Sequence, residues 1–388
     1  MSWLLYDATV FTPTQTLERQ AVVIDDDGVI AYVGDMHAAP PVDGLRINLR
    51  GRILAPGFID VHVHGGNGIN FGDDELLEST RRYSQWVAST GVTGWLPSIA
   101  APNAEKLIEV IKGYVGFFGT EMPGAEPLGL HLEGPFINVQ KKGAFNPAWI
   151  HEGTLEEAQA FIDAGQGWIT QVTLAPELPN GQAIAGLLRR NGIVAAMGHT
   201  NTDYEFASQA LRGNFTHVTH TFNAQSGFDH RAPGVFGAIL GSDHITAELI
   251  GDGYHVHPGA MKVLLRSLGT DRVVLITDAI MGTGLPEGEY HLVGHDVTVK
   301  DGRATLANGT LAGSVATMNM CVRNVNKLVG YPLVEAVKMA SLNPARAMGF
   351  AGRLGSVQPG KDASLTVIDE DARVYMTIVK SKVVYNQL

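Results

Sequence analysis

Residues 57–64 read Gly-Phe-Ile-Asp-Val-His-Val-His. The run opens on apolar, β-prone residues and closes on two histidines two positions apart. In a strand, residues i and i+2 project to the same side, so the imidazoles of His62 and His64 reach towards one point. His-x-His alone is a weak metal signal, and a hydrogen-bonded pair at a strand end is the plainer reading. Its place after Ala55-Pro56-Gly57-Phe58-Ile59-Asp60, at the start of a longer series of strands, strengthens the metal reading.

Seven more buried-looking strands follow: Thr93–Ile99, Pro127–Glu133, Trp168–Ala175, Ile193–His199, Thr216–Thr221, Thr246–Gly251 and Val273–Asp278. Most gaps between them can hold one helix, and Glu75–Ser89 and Pro102–Phe117 carry apolar residues at helical spacing. Strands alternating with helices imply parallel pairing. Eight such units predict an α/β fold of the closed, TIM-like (β/α)8 barrel kind.

The chain ends have another rhythm. Leu4–Phe11, Gln20–Ile24, Val29–Val33 and Arg46–Leu49 are short β-rich segments, with Asp26-Asp27-Gly28 as a turn. Ala363–Asp369 and Val374–Val384 are similar and follow the turn Gln358-Pro359-Gly360-Lys361. The expectation is a small β-sandwich domain from residues 1–54 and 356–388, with the barrel, 55–355, inserted between. From His291 to Thr310 hairpins are expected around Asp301-Gly302 and Asn308-Gly309. A final helix is expected over Pro332–Met348.

Composition narrows the function classes. With 28 Lys and Arg against 39 Asp and Glu among 388 residues, the formal charge is −11. Nucleic-acid binding needs a positive field that this balance does not supply. Cys321 is the lone cysteine, so no intrachain disulfide forms and a reducing, cytoplasmic setting fits. The start, Met-Ser-Trp-Leu-Leu-Tyr-Asp, lacks the basic n-region of a signal peptide, and no apolar run reaches the ~18 residues of a membrane span.

Polar residues gather where barrel enzymes place their chemistry, at the C-terminal ends of the strands. Strand three ends in His131-Leu132-Glu133-Gly134-Pro135, strand five in Gly198-His199-Thr200, strand six in Thr219-His220-Thr221 and strand eight in Thr277-Asp278-Ala279. Each alone reads as a hydrogen-bonded rim residue. Together they do not, because strand ends have no structural need for so many imidazoles and carboxylates. Such N and O donors suit Zn²⁺, with Fe²⁺, Mn²⁺ or Co²⁺ as alternatives.

On these residues the sequence resembles the amidohydrolase superfamily, whose pattern is His-x-His after strand one, His after strands five and six, and Asp after strand eight. Asn343-Pro344-Ala345-Arg346 and Gly355–Asp362 are similar too. More narrowly, Gly129-Leu130-His131-Leu132-Glu133-Gly134-Pro135-Phe136, Thr219-His220-Thr221-Phe222-Asn223-Ala224, Asp252-Gly253-Tyr254-His255 and Leu311-Ala312-Gly313-Ser314 resemble the N-acetylglucosamine-6-phosphate deacetylases.

The resemblance implies roles. Glu133 is the metal-binding or bridging carboxylate, in place of the carboxylated lysine of many relatives. His199 and His220 are shared ligands, and His62 and His64 add a second position, so one or two divalent metals are expected. Asp278 is the catalytic acid and base. Ala144, Asn223, Ala224, Arg231, His255 and the Leu311, Ala312 and Gly313 backbone are the sugar-phosphate contacts. The arginine reaches the phosphate of a neighbouring subunit, which implies a homodimer. One departure is Phe145, in Lys141-Lys142-Gly143-Ala144-Phe145-Asn146, where many relatives carry a histidine. His131 is expected behind the ligands, and His217 and His257 are expected to be structural.

The reaction implied is removal of the acetyl group from N-acetylglucosamine 6-phosphate, giving glucosamine 6-phosphate and acetate. Metal-activated hydroxide attacks, and Asp278 moves the proton to the leaving nitrogen. Two alternatives stand beside it. One is a deacetylase of another phosphorylated N-acetyl hexosamine, with N-acetylgalactosamine 6-phosphate foremost, or a cyclic-amide hydrolase. The other is a non-catalytic, amidohydrolase-like assembly protein, whose sign would be loss of the ligands present here.

Overall fold

The computed structural model describes residues 2–73 and 75–388. Its centre is a ring of parallel strands: β1 (Phe58–Val63), β2 (Val92–Ile99), β3 (Leu130–Glu133), β4 (Ile169–Leu174), β5 (Val194–Met197), β6 (His217–Val218), β7 (Thr246–Ile250) and β8 (Val273–Ile276). Each pairs with the next. The ring closes where the Asp278 backbone N–H donates to the His62 carbonyl at 2.9 Å. Both β1 and β2 are buried along their whole length, as parallel strands covered on both faces must be. Helices follow the strands, and Leu107, Val110, Ile111 and Tyr114 of Ala104–Val115 share one apolar core with Trp95, Ile99 and Leu132. Asn103, Thr154 and Asp203 begin their helices as N-caps, each side chain accepting a backbone N–H three residues on. The alternation read from the sequence is therefore the barrel.

Residues from both ends of the chain share one sheet, in the order Lys382–Asn386, Val374–Val379, Leu365–Ile368, Ile53–Pro56, Trp3–Phe11, Thr16–Ile24 and Ile30–Asp35. A bridge between Val29 and Asp362 links distant parts of it. It carries a common core of Leu5, Val10, Val22, Ile24, Leu54, Leu365, Val367 and Ile378, a small β unit drawn from both β-rich ends.

Two expected elements divide. Val374–Val384 is a hairpin that turns at Lys380 and Ser381, with φ of 45° and 62°. The usual Asn-Gly or Asp-Gly signal for such a turn is missing. Pro332–Met348 splits into Leu333–Met339 and Leu342–Ala347. In a continuous helix the Pro344 ring would strike the carbonyl four residues back, that of Ala340. Freed by the break, this carbonyl accepts the Ile59 N–H at 2.8 Å, while Asn343 Nδ2 donates to the carbonyls of Thr270 and Val273. The second helix therefore sits against the N-terminal ends of β1 and β8, opposite the site.

Candidate active site

Strands β5, β6 and β8 end before the residues that matter. Just beyond them His199, His220 and Asp278 take left-handed backbone angles, φ 47°, 25° and 50°, which turn their side chains into the barrel mouth. Such conformations cost roughly 1–3 kcal/mol each and persist only where the surroundings enforce them. Here the Asp278 N–H is bonded to His62 and its carbonyl to the Ser314 N–H at 2.7 Å, while the His220 N–H donates to Glu248 at 2.9 Å.

Glu133 is the hub. Its Oε1 lies 3.1 Å from both His199 Nε2 and His220 Nε2, which are themselves 3.0 Å apart. Its Oε2 lies 3.0 Å from His64 Nε2, and Oε1 lies 3.4 Å from His62 Nε2. Asp278 Oδ1 completes the far side, 3.4 Å from His64 and 3.6 Å from His62. Two sets of three donors result, Glu133 with His199 and His220, and His62 with His64 and Asp278.

The chemistry of this cluster fits a divalent cation. His199 Nδ1 lies 2.7 Å from the Lys141 carbonyl, which can only accept, so the proton is on Nδ1 and Nε2 presents a lone pair inward. His62 Nδ1 is likewise occupied by Glu248 at 2.9 Å, and its buried Nε2 has no hydrogen-bond partner. Three buried carboxylates, Glu133, Glu248 and Asp278, have only imidazoles as ion-pair partners among the described residues. Burial opposes the charge on Glu133, but His62 and the neighbouring imidazoles outweigh it and hold the carboxyl well below its usual range. Burial also opposes charge on His62, and there Glu133 and Glu248 prevail, raising it above the ordinary imidazole value. With three carboxylates and the His199 lone pair turned inward, the nest carries excess negative charge, which is what a bound cation satisfies.

A polar wall lies below the candidate ligands. Ser98 Oγ, His131, Thr173 Oγ1 and Thr219 Oγ1 form a buried ladder with successive spacings of 2.8, 2.8 and 2.7 Å. His131 therefore lies behind the ligands as expected, its ring centroid 4.5 Å from that of His62. His257 caps the helix Pro258–Leu268, where its Nδ1 accepts the Gly259 N–H.

A cavity of about 240 Å³ opens over the nest. Among the residues around it are His64, Glu133, His199, His220 and Asp278, together with Ala144, Phe145, Asn223, Ala224, His255, Leu311 and Gly313. Phe145 is buried, its ring edge-on to His199 at 5.1 Å. His255 Nδ1 lies 2.7 Å from Asp252 Oδ2. Two expected residues are not part of this lining, and one of them, Arg231, is expected to serve a neighbouring subunit. Ala312 is buried in the hairpin core and its N–H is used by the Ala304 carbonyl, so it does not line the cavity. Arg231 is exposed on the turn Asp229–Ala232, away from this lining.

Comparison with known proteins places the chain in a family. The amidohydrolase family model matches residues 53–384. The N-acetylglucosamine-6-phosphate deacetylase of Bacillus subtilis is 33% identical, covering 99% of this chain and 97% of that protein. An N-acetylgalactosamine-6-phosphate deacetylase of Escherichia coli O157:H7 is 35% identical, covering 90% of each. The crystal structure of the Pasteurella multocida N-acetylglucosamine-6-phosphate deacetylase superposes with a TM-score of 0.92 at 31% identity, over 99% of both chains. The chain belongs to the N-acetylglucosamine-6-phosphate deacetylase family of amidohydrolases. A mutant of the Mycobacterium smegmatis member, crystallised in complex with N-acetyl-D-glucosamine-6-phosphate, superposes at 0.91, with 33% identity over 99% of this chain and 100% of that one.

A further residue of this site is marked by no sequence motif. Glu248, fully buried on β7, accepts from His62 Nδ1, Gln171 Nε2, His217 Nε2 and the His220 N–H at 2.9, 2.9, 3.1 and 2.9 Å. It ties together candidate ligands of both donor sets, and His217 serves as one of its buried partners. The signal was available: a carboxylate inside Thr-Ala-Glu-Leu-Ile cannot be buried without partners. Glu248→Gln keeps the shape but loses the charge that fixes the His62 proton on Nδ1. The expected result is a ~10–100-fold loss of metal affinity, measured by competition with a chromogenic chelator, with the circular dichroism spectrum unchanged.

Proposed function

We propose that this protein hydrolyses the acetamido group of N-acetylglucosamine 6-phosphate to give glucosamine 6-phosphate and acetate. The observation that carries the reading is the single cavity in which the ligand nest and Asp278 face Asn223, Ala224 and His255. The relatives of that name, matched over nearly the whole chain, support it.

Glu133, His199 and His220 would hold one divalent ion, and His62, His64 and Asp278 are placed for a second. A bound ion supplies Lewis acidity, which brings the pKa of water towards ~7 and stabilises negative charge on the acyl oxygen. Zinc suits the nitrogen-rich donors best. Asp278, at the edge of the nest, takes the proton of the attacking water and returns it to the departing nitrogen, because an amide anion is too basic to leave. Phe145 carries no polar group to engage the acyl oxygen, so polarisation rests on the nest alone. The inert wall it forms against His199 keeps water from that side.

At the other end of the cavity Asn223 and His255 face the phosphate. Burial opposes the charge on His255, but Asp252 outweighs it and raises its pKa. The group is therefore cationic below that raised value and loses its charge as the pH climbs through it. KM for the sugar phosphate is expected to rise with pH above neutrality in wild type. In His255→Gln it should be high throughout and lose this dependence, as read from initial-rate titrations between pH 6 and 9.

Several further features belong to the proposal. Arg231 on its exposed turn, beside the exposed Phe228, is suited to complete the phosphate site of a second subunit in a homodimer. The domain limits 1–54 with 356–388, and 55–355, go with this reading. So does a cytoplasmic location, supported by the lone buried Cys321; no described helix is long and apolar enough to cross a membrane.

The galactosamine relative supports a second reading, since the two sugars differ only in the configuration at one hydroxyl. Deacetylation rates for both 6-phosphates, and for the unphosphorylated sugars, separate these. A higher kcat/KM for the glucosamine form is expected. A preference for the galactosamine form would transfer the assignment.

A further inference from the structure

A second cavity, about 740 Å³ and three times the volume of the first, adjoins the reaction site. His64, Leu292 and Val293 line both. The first cavity is built from the loops after β3, β5, β6, β7 and β8, and the phosphate-facing residues Asn223 and His255 lie in the loops after β6 and β7. The second lies over the ends of β1 and β2, reaching from Asn70–Asp73 to Ala100–Asn103, with Trp149 and the hairpin at Leu292–Val293 as its outer walls.

The orientation of a substrate follows. With the phosphate held on the β6–β7 side and the scissile carbonyl over Glu133 and His64, the atom bonded to that carbonyl on the side away from the sugar points past His64. That direction leads to the β1–β2 side. An acetyl methyl ends there, and a longer chain would continue into the second cavity. Its lining suits an aliphatic chain: Phe71, Ala101, Val110 and Leu292 are buried apolar residues, with Pro102, Trp149 and Met281 alongside. Polar residues share the lining, among them Asn70, Asp73, Lys106 and His295, and His291 pairs with Asp296 at 2.7 Å.

We propose that the enzyme is an N-acyl-hexosamine-6-phosphate deacylase whose acyl site extends beyond acetyl, accepting propionyl and butyryl groups in the second cavity. The proposal rests on the deacetylase reading above and adds the acyl class. The bond change is unaltered. The oxygen of water joins the acyl carbon, the C–N bond breaks, the nitrogen gains a proton by way of Asp278, and the products are a short-chain carboxylate and the amino sugar phosphate.

The acyl series tests it directly. In a pocket closed around acetyl, each added methylene costs about 10–200-fold in kcat/KM. The open cavity predicts that N-propionyl- and N-butyrylglucosamine 6-phosphate fall within about 10-fold of the N-acetyl substrate, below the loss a closed pocket would impose. Ala100, half-buried on the lining of the second cavity only, offers the matching variant. Ala100→Phe should lower the butyryl value at least about 10-fold and leave the acetyl value within a factor of about two. Wild-type turnover of N-acetyl substrate with butyryl more than about 100-fold slower would overturn the acyl proposal and leave the deacetylase reading intact. Loss of both substrates in wild type, with metal bound, would instead overturn that reading. Should Ala100→Phe fail to fold, the wild-type series still decides. Equal loss of both substrates in a folded Ala100→Phe protein would count against separate acyl space.

Discussion

Asp278→Asn is expected to keep the ion held by Glu133, His199 and His220 and to lose ~10²–10⁴-fold in kcat, the range spanned by a lost general acid–base. The reason is in the geometry. Asp278 Oδ1 is 3.4 and 3.6 Å from His64 and His62, within reach of the ions they would hold, yet Glu133, His199 and His220 form a donor set without it. Its backbone turn is kept by bonds that amidation does not touch, the N–H to His62 and the carbonyl from Ser314. Asparagine therefore preserves the shape and removes the one carboxylate able to shuttle a proton at the cavity edge. KM should change far less than kcat. A metal-replete Asn variant with undiminished kcat would remove Asp278 from the proton path.

Glu133→Gln is expected to fail at an earlier stage. Glu133 touches four imidazoles, and both of its oxygens are used. The neutral amide leaves His62, His64, His199 and His220 around a site with less negative charge, and its NH₂ meets nitrogens that should present lone pairs. The loss in metal affinity should exceed the ~10–100-fold expected for removing an outer partner. Activity should fall with occupancy, and excess metal should restore only part of it. A Glu133→Gln protein that binds metal as tightly as wild type would show that Glu133 is not a ligand. The two variants thus fail differently, one with the metal retained and one with it lost.

Much of this site was legible because barrel topology turns sequence order into spatial order. His62 and His64 at one strand end, and Glu133, His199, His220 and Asp278 at others, had to meet once the strands closed in parallel. The left-handed turns at His199, His220 and Asp278 were not legible, since no glycine marks them and tertiary bonds enforce them. Glu248 was not legible because a single carboxylate in an apolar strand has no motif; its meaning depends on residues 28 to 186 positions away. Ala312 illustrates the opposite limit. Its motif places it beside Leu311 and Gly313, but a hairpin bond to Ala304 takes its N–H away from the cavity. The split at Ala340 could have been foreseen from Pro344 alone, because a proline four residues on forbids the continuous helix.

The central claim is that this nest of imidazoles and carboxylates is a metal-dependent deacetylase site. It is tested most directly by measuring bound metal by plasma mass spectrometry alongside kcat/KM on N-acetylglucosamine 6-phosphate, through chelation and stepwise zinc return. The account predicts activity that disappears with the metal and returns in proportion to it, saturating at one or two ions per subunit. Full activity in metal-free protein, or a metal-replete protein inactive on this sugar and its galactosamine counterpart, would contradict it.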